Sequence, residues 1–176
     1  KDNKVAWTEI PKNGVIRNLG NRNGWSRKWY SAMSAPLISV PPQVKSIKIS
    51  SDNIPEASLL NLSAGQPISS QSATRSAAID TLNSFLNSRG QNYTFEMSSP
   101  ITAETSCSRI SPYLAFGQIS VREAYQITEK CAQGPGNNNK KYSRSLRSFS
   151  SRLRWHCHFI QKLEDQPSIE THTLHS

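Results

Sequence analysis

Apolar residues recur at helical spacing in four segments, and this pattern predicts a mostly α-helical protein. The segments span residues 25–33, 74–89, 121–132 and 141–164. Their predicted inward positions are Trp25, Trp29 and Met33, then Ala78, Leu82, Phe85 and Leu86, then Ala124, Ile127 and Cys131, and finally Leu146, Phe149, Leu153, Ile160 and Leu163, with Cys157 beside the last five. Thr74 or Ser76 caps the second segment.

Residues 105–120 combine small hydroxyl side chains, a proline and a glycine, and predict a loop that enters a short helix. Ser111 is placed as the N-cap and Pro112 as the first helical residue, where its missing N–H costs nothing. Gly117 is suited to a left-handed C-terminal cap. The free N–H groups of such a helix and the nearby serine hydroxyls favour a phosphate or pyrophosphate. An ordinary capped helix without a ligand fits the same residues.

The first 75 residues lack a long helical pattern. A short strand is predicted to start at Val15 and Ile16, and residues 36–75 read as an interdomain linker because prolines interrupt them throughout. Three tryptophans need more partner surface than a short segment offers. We therefore expect Trp7, Trp25 and Trp29 to lie against parts of a larger protein.

The charge balance points to a polyanionic partner. The 176 residues carry 21 Lys and Arg against 12 Asp and Glu, a formal net charge of +9. Nucleic acid is the first candidate and an anionic membrane surface the second, while a merely basic protein gives the same balance. Three irregularly spaced cysteines are typical of reduced thiols in a cytoplasmic protein. No apolar run is long enough to span a bilayer, and no signal peptide opens the chain.

Basic and aromatic residues alternate along the last predicted helix. The candidate nucleic-acid-binding residues are Lys140, Lys141, Arg144, Arg147, Arg154 and Trp155, with Tyr142 and His156 beside them. Arginine next to aromatic rings is typical of a groove that holds phosphates and stacks flat bases. The simpler interpretation is a solvated helix face.

Several common catalytic motifs are missing from the sequence. It has no Gly-rich phosphate loop, no His-Glu-x-x-His, no Cys-x-x-Cys pair and no serine in a nucleophile elbow. His156, Cys157 and His158 are consecutive, and consecutive side chains on a helix diverge by about 100°. We therefore predict no metal site and no ordinary hydrolase.

Motifs along nearly the whole chain resemble those of the photolyase–cryptochrome family. The end of the family's α/β antenna domain, in its bacterial branch, is similar to Trp7-x-Glu9-x-Pro11-x-x-Gly14-Val15-Ile16-Arg17 and to Asn21-Arg22-x-Gly24-Trp25. The family's flavin motif, Thr-Ser-x-Leu-Ser-Pro-x-Leu, resembles Cys107-Ser108-Arg109-Ile110-Ser111-Pro112-Tyr113-Leu114, with Tyr93 upstream. The next helix of the FAD cavity is similar to Phe149-x-x-Arg152-Leu153-Arg154-Trp155-His156.

The resemblance implies three parts: the end of an α/β antenna domain over residues 1–35, a linker over 36–75, and the N-terminal part of an all-helical FAD-binding domain over 76–176. It implies FAD as the cofactor, with an antenna chromophore as a further candidate in a full-length protein. The implied cofactor-binding residues are Tyr93, Cys107, Ser108, Arg109, Ile110, Ser111, Leu114, Phe149, Arg152 and His156. Trp155 is implied to pack on the DNA lesion.

The implied function is light-driven splitting of pyrimidine photodimers in DNA by electron transfer from reduced flavin, in a monomeric cytoplasmic protein. The sequence has Arg152 where cyclobutane-dimer photolyases usually have a glutamate, which leaves six-four repair and cryptochrome light sensing open. It has Cys107 in place of the motif's first Thr, a mild change because a backbone N–H still binds phosphate.

A basic helical DNA-binding module without a cofactor is the alternative outside the flavoproteins.

The later segments of the family's FAD cavity have no counterpart in this sequence. We therefore expect the 176 residues alone to bind FAD poorly and to lack repair activity.

Overall fold

The computed structural model describes residues 5–10, 12, 14–62, 70–134 and 139–173. Within them the regular structure is helical without any strand, so the prediction of a mostly α protein is confirmed, whereas the short strand expected at Val15 and Ile16 does not form. The α-helices are α1 (Trp25–Ser34), α2 (Arg75–Asn87), α3 (Tyr93–Glu96), α4 (Ala103–Ser106), α5 (Ser111–Ala115), α6 (Val121–Gln133) and α7 (Lys140–Asp165). Short 3-10 helices cover Ala57–Leu60, Arg89–Asn92 and Pro167–Glu170.

Side-chain caps begin the three long helices α2, α6 and α7. Thr74 rather than Ser76 caps α2, because the Thr74 Oγ1 accepts a hydrogen bond from the Ala77 amide at 3.2 Å. Ser120 accepts from the third residue of α6 at 3.0 Å. The Asn139 Oδ1 accepts from two amides in the first turn of α7. Local sequence therefore determines where these helices begin.

The core is formed where α1, α2, α6 and α7 meet. Every predicted inward position of α1 and α2 is buried, and so are Ala124 in α6 and the residues Leu146, Phe149, Leu153 and Cys157 of α7. The prediction is wrong for Leu163, which is 44 % exposed, whereas the neighbouring Gln161 is fully buried. The buried Gln161 pairs with the backbone N–H and carbonyl of Ile16.

Trp25 and Trp29 are buried within the described part of the chain, so the expectation that they pack on parts of a larger protein is wrong for these two residues. They are only 5 % and 1 % exposed, whereas Trp7 is 82 % exposed. The Trp29 ring packs edge-on against Tyr125 of α6 at 5.2 Å, and the Trp25 ring against His158 of α7 at 5.5 Å. The long helices supply the partner surface that the sequence pattern did not reveal.

The chain divides into two units. One joins Lys1–Leu37 with Ala73–Ser176 and contains the core. The other is Ile38–Ser72, whose described residues are all exposed and include one 3-10 helix, Ala57–Leu60. The interpretations of residues 1–35 as the end of an antenna domain and of 36–75 as an interdomain linker stay predictions.

Candidate nucleic-acid interface

Arg89 holds the predicted phosphate-binding loop in place. Its guanidinium donates hydrogen bonds to the carbonyl oxygens of Thr105, Cys107 and Ser108 at 3.0, 2.5 and 3.3 Å. The same group donates to the Thr81 carbonyl in α2 at 3.1 Å. Burial lowers the pKa of Arg89. One side chain thus fixes the loop carbonyls against α2.

The short helix after this loop begins one residue earlier than predicted. Ser111 is the first residue of α5 and Pro112 the second, so the N-cap is Ile110, and no side chain caps the helix. The prediction of Ser111 as the N-cap is wrong because the Ile110 carbonyl already accepts a helical hydrogen bond from the Leu114 amide at 3.0 Å.

Two residues with left-handed backbone flank α5. Gly117 has φ +75°, as predicted for its capping role, and the amide of Gln118 donates back to the Tyr113 carbonyl at 3.0 Å. Arg109 has φ +61°, which costs a residue with a side chain on the order of 1–2 kcal/mol. The loop therefore enters α5 through a strained turn that exposes the Arg109 side chain.

Four predicted cofactor contacts are packed in the core. The rings of Tyr93 and Phe149 lie 6.0 Å apart, and both pack on Phe85, at 5.4 and 4.6 Å. Tyr93 is 7 % exposed, Phe149 3 %, Ile110 2 % and Leu114 8 %. The structure thus places Tyr93 beside Phe149, but these side chains stabilise the core and present little surface to a flavin ring.

The other predicted cofactor residues are exposed or half-buried. They are Cys107, Ser108, Arg109, Ser111, Arg152 and His156. Burial raises the pKa of the Cys107 thiol and lowers the pKa of His156. The polar residues of the loop are suited to the FAD diphosphate, which Tyr93 was also expected to contact, whereas the buried Phe149 presents little surface to the flavin ring.

A row of cations follows α7 beside its buried stripe. At about 100° per residue, Lys140, Arg144, Arg147 and Arg154 lie within about 80° of one another and span about 21 Å along the axis. The first three are exposed and Arg154 is half-buried. Within the described residues, no ion pair involves any of them. We call these four residues and the adjacent Lys141 the α7 cationic face.

Aromatic rings lie beneath three of these cations. The Lys141 ammonium and the Arg144 guanidinium are 5.4 and 5.7 Å from the centre of the Phe95 ring, which is 60 % exposed. The Arg154 guanidinium is 5.5 Å from the centre of the Tyr30 ring. Cation–π contacts orient these charges without neutralising them, so they stay available to an anion.

Next to the α7 cationic face lies a cavity of about 260 Å³, which we call the Trp155 cavity. It is lined by Arg22, Trp25, Ser26, Arg154, Trp155 and His158. Trp155, the predicted lesion contact, is 45 % exposed, so a ligand can reach this side of the cavity from solvent. Trp25, in contrast, is buried. The volume lies just below the usual range of ligand cavities, which starts at roughly 300 Å³. It is large enough for a flat ring of the size of one base.

Four of the six lining residues were not predicted to be functional: Arg22, Trp25, Ser26 and His158. Sequence spacing gives Trp25 only a core position, and Arg22 lies in a turn without any periodic pattern. His158 was considered from the sequence only as a metal ligand, and that role was rejected. The one sequence feature that could have identified them is composition, because an arginine lies close to a tryptophan in the sequence both at the start of α1 and in α7.

Comparison of the chain with protein-family models, curated proteins and solved structures gives no match. The resemblance to the photolyase–cryptochrome family therefore rests on the motif residues alone. Among the described residues, no three His, Cys, Asp or Glu side chains come together as a metal site. None of the helices in the described ranges has the length and apolar character needed to cross a membrane.

Proposed function

We propose that this chain binds DNA damaged by light, as part of a flavin-dependent repair protein similar to the photolyases. The observation that carries the proposal is the α7 cationic face, whose charges have no acidic partner among the described residues and which leads to Trp155. Phosphates bind the cations and release counterions. An unpaired base stacks on Trp155, a contact worth about 1–3 kcal/mol.

FAD is the proposed cofactor. When bound, reduced flavin supplies the electron that splits a pyrimidine photodimer under light. In this chain the hydroxyls of Ser108 and Ser111 and the charge of Arg109 would hold the diphosphate, and Arg89 keeps their loop in place through its carbonyl contacts.

A basic DNA-binding module without a cofactor is the second candidate function. The burial of Tyr93 and Phe149 favours it, because both rings already have partners in the core. The two candidates share the α7 cationic face and differ only in the flavin.

The test measures binding of the full chain to duplex DNA, with and without one thymine photodimer, as a function of salt. About five phosphate contacts give a slope of log affinity against log salt near −4.5. The double variant Arg144→Gln/Arg147→Gln should make the slope shallower by about 2. The control Lys45→Gln/Lys48→Gln removes the same charge from exposed residues elsewhere. Equal slopes for the two variants would contradict DNA binding through α7.

Flavin and light distinguish the remaining possibilities. Because we expect the 176 residues alone to bind FAD poorly, flavin binding and repair are both measured on the full-length protein. Flavin absorption, together with light-dependent repair of the photodimer, supports the repair function. Bound flavin without repair supports a cryptochrome. DNA binding without flavin supports the cofactor-free module.

A further inference from the structure

A polar cavity of about 350 Å³ lies beside the end of α1 and along one face of α6, and we call it the α6 cleft. Its volume falls within the usual range of ligand cavities, roughly 300–1,000 Å³. The lining residues are Ser34, Tyr125, Gln126, Glu129, Lys130 and Gln133. None of them belongs to the α7 cationic face or lines the Trp155 cavity, so neither of those surfaces accounts for the cleft.

Gln126 joins the α6 cleft to the end of α1. Its Nε2 donates to the carbonyl oxygens of Met33 and Ala35, both at 2.8 Å. These contacts use the amide nitrogen, and no described residue donates to the Oε1 of Gln126, which is left as an acceptor for a ligand. The C-terminal end of a helix carries a partial negative charge, and the last turn of α1 contains no basic residue. This end of the cleft is therefore suited to a cation.

The carboxylate of Glu129 also has an oxygen available to a ligand. Its Oε1 accepts from the Ser150 hydroxyl of α7 at 2.7 Å, which fixes the group in one orientation. Within the described ranges, no cation pairs with Glu129 and no hydrogen bond reaches its Oε2. Glu129 and Gln126 are three positions apart on α6, so their two acceptors share one face of the helix.

An aromatic ring lies on the same face of α6. Tyr125 is half-buried, and its ring centre is 5.2 Å from that of Trp29 and 6.3 Å from that of Tyr30. Burial is the first cause that raises the pKa of Tyr125, and the charge of Glu129 raises it further, so the hydroxyl stays protonated. The neighbouring Tyr30 ring already contacts the Arg154 guanidinium at 5.5 Å. Tyrosine rings attract cations in this way.

We propose that the α6 cleft binds a primary ammonium group, carried by a small aliphatic amine or by a lysine side chain of another protein. The three N–H donors of the ammonium have the Glu129 Oε2, the Gln126 Oε1 and the Ser34 hydroxyl as acceptors. A guanidinium fits less well, because it pairs best with both oxygens of one carboxylate, and Ser150 already occupies one of them. Lys130 is exposed, and its flexible stem lets its own ammonium turn to solvent.

Calorimetric titration of the full chain with cadaverine tests the proposal, with pentanediol as the uncharged counterpart of the same length. The diamine should bind, and the diol should not bind at the same concentrations. Glu129→Gln keeps an acceptor for Ser150 but removes the charge, and it should weaken cadaverine binding at least about tenfold. Glu104→Gln removes the same charge from an exposed residue outside the cleft, and it should leave the affinity unchanged.

Lys130→Gln tests the electrostatics of the cleft in the opposite direction. It removes a like charge from the lining and should tighten cadaverine binding by about two- to fivefold. Circular dichroism checks the folding of each variant. If Glu129→Gln does not fold, the comparison of Lys130→Gln with the wild type decides, because Lys130 is exposed.

A lysine compound with both backbone ends blocked distinguishes the two sources of the ammonium. If it binds at least as tightly as cadaverine, the ligand is a lysine side chain of a partner protein, and if it binds more weakly, the ligand is a free amine. The proposal is overturned if neither amine binds, or if Glu129→Gln and Glu104→Gln bind cadaverine equally well. Neither result affects the proposed function, because DNA binding is measured through the α7 cationic face, which shares no residue with the α6 cleft.

Discussion

The side-chain amide of Gln161 pairs with both backbone polar groups of Ile16. The Gln161 Oε1 accepts from the Ile16 N–H at 2.7 Å, and the Gln161 Nε2 donates to the Ile16 carbonyl at 2.9 Å. The two residues are 145 positions apart in the chain. Gln161 therefore satisfies both backbone groups of Ile16, and it attaches the segment around Ile16 to α7.

Replacing Gln161 should destabilise the fold strongly. Gln161→Leu leaves the Ile16 amide and carbonyl without their partner, and we expect a loss of about 2–4 kcal/mol in the free energy of unfolding. Urea denaturation measures it. The control is Gln133→Leu at the exposed end of α6, which should change stability by less than about 0.5 kcal/mol. Similar losses in both variants would show that the Ile16 pairing contributes little.

The two hydroxyls at the start of α2 should differ in their effect on stability. Thr74→Ala removes the acceptor for the Ala77 amide and should cost about 1 kcal/mol. Ser76→Ala should cost less, because its hydroxyl contacts the Thr74 Oγ1 at 3.0 Å and does not cap a backbone amide of the described residues. Thr74→Ser should restore the cap. Thermal melts of the three variants check this order, and a larger loss from Ser76→Ala would contradict it.

Three glycines allow backbone strain to be separated from lack of space. An alanine Cβ at Gly14, where φ is +82°, would lie 2.6 Å from Cδ1 of the buried Trp29 ring. We expect Gly14→Ala to cost about 2–4 kcal/mol, from strain and overpacking together. Gly117 has the same left-handed backbone, but the space around an added Cβ is open. Gly117→Ala should therefore lower the free energy of unfolding by about 1 kcal/mol.

Gly20→Ala is the control for both substitutions. Gly20 has no left-handed backbone and no atom within 4 Å of the added Cβ. Its replacement should be neutral or stabilise by up to about 1 kcal/mol, because alanine restricts the unfolded chain. Urea denaturation gives the ranking of the three variants, and equal losses at Gly14 and Gly117 would show that Trp29 moves aside.

Arg89 should be intolerant even of lysine. Lysine has three donors on one nitrogen and cannot reproduce the fan of contacts to the carbonyls of Thr81, Thr105, Cys107 and Ser108. We expect Arg89→Lys to cost about 1–3 kcal/mol and to speed amide hydrogen exchange in residues 105–108. Arg147→Lys, an exposed control on α7, should leave both unchanged. Unaltered exchange in Arg89→Lys would mean that the loop is fixed by other contacts.

Stability should fall as the pH is lowered through the range in which histidine titrates. Burial lowers the pKa of His156 below its unfolded value of 6.5. Between these two pKa values the unfolded chain binds more protons, so stability rises with pH there and is complete above about pH 6.5. Melts at about pH 7.5 and pH 5.5 should show a smaller difference for His156→Gln than for the parent.

His172→Gln provides the control for this pH effect. His172 is exposed after the 3-10 helix Pro167–Glu170, so its substitution removes the same ring from an unburied position. The same reduction in His156→Gln and His172→Gln would assign the effect to net charge instead of to burial at His156.

Local sequence determined the helices and several of their ends. The spacing of Leu82, Phe85 and Leu86 identified one face of α2, and the structure buries that face. Thr74 and Gly117 act within one turn of their own positions, as a hydroxyl cap and a left-handed residue. Such features follow from sequence because their partners lie only a few residues away.

Tertiary structure alone decided what covers each face. Periodicity marks a residue as apolar and inward but does not name its partner, so Tyr93 and Phe149 served equally well as predicted flavin contacts and as neighbours in a core. For the same reason, periodicity does not predict the burial of Gln161. It also does not predict the pairing of Arg22 with Asp165, two residues that are 143 positions apart. Contacts over such distances depend on how the helices pack, and they form the Trp155 cavity.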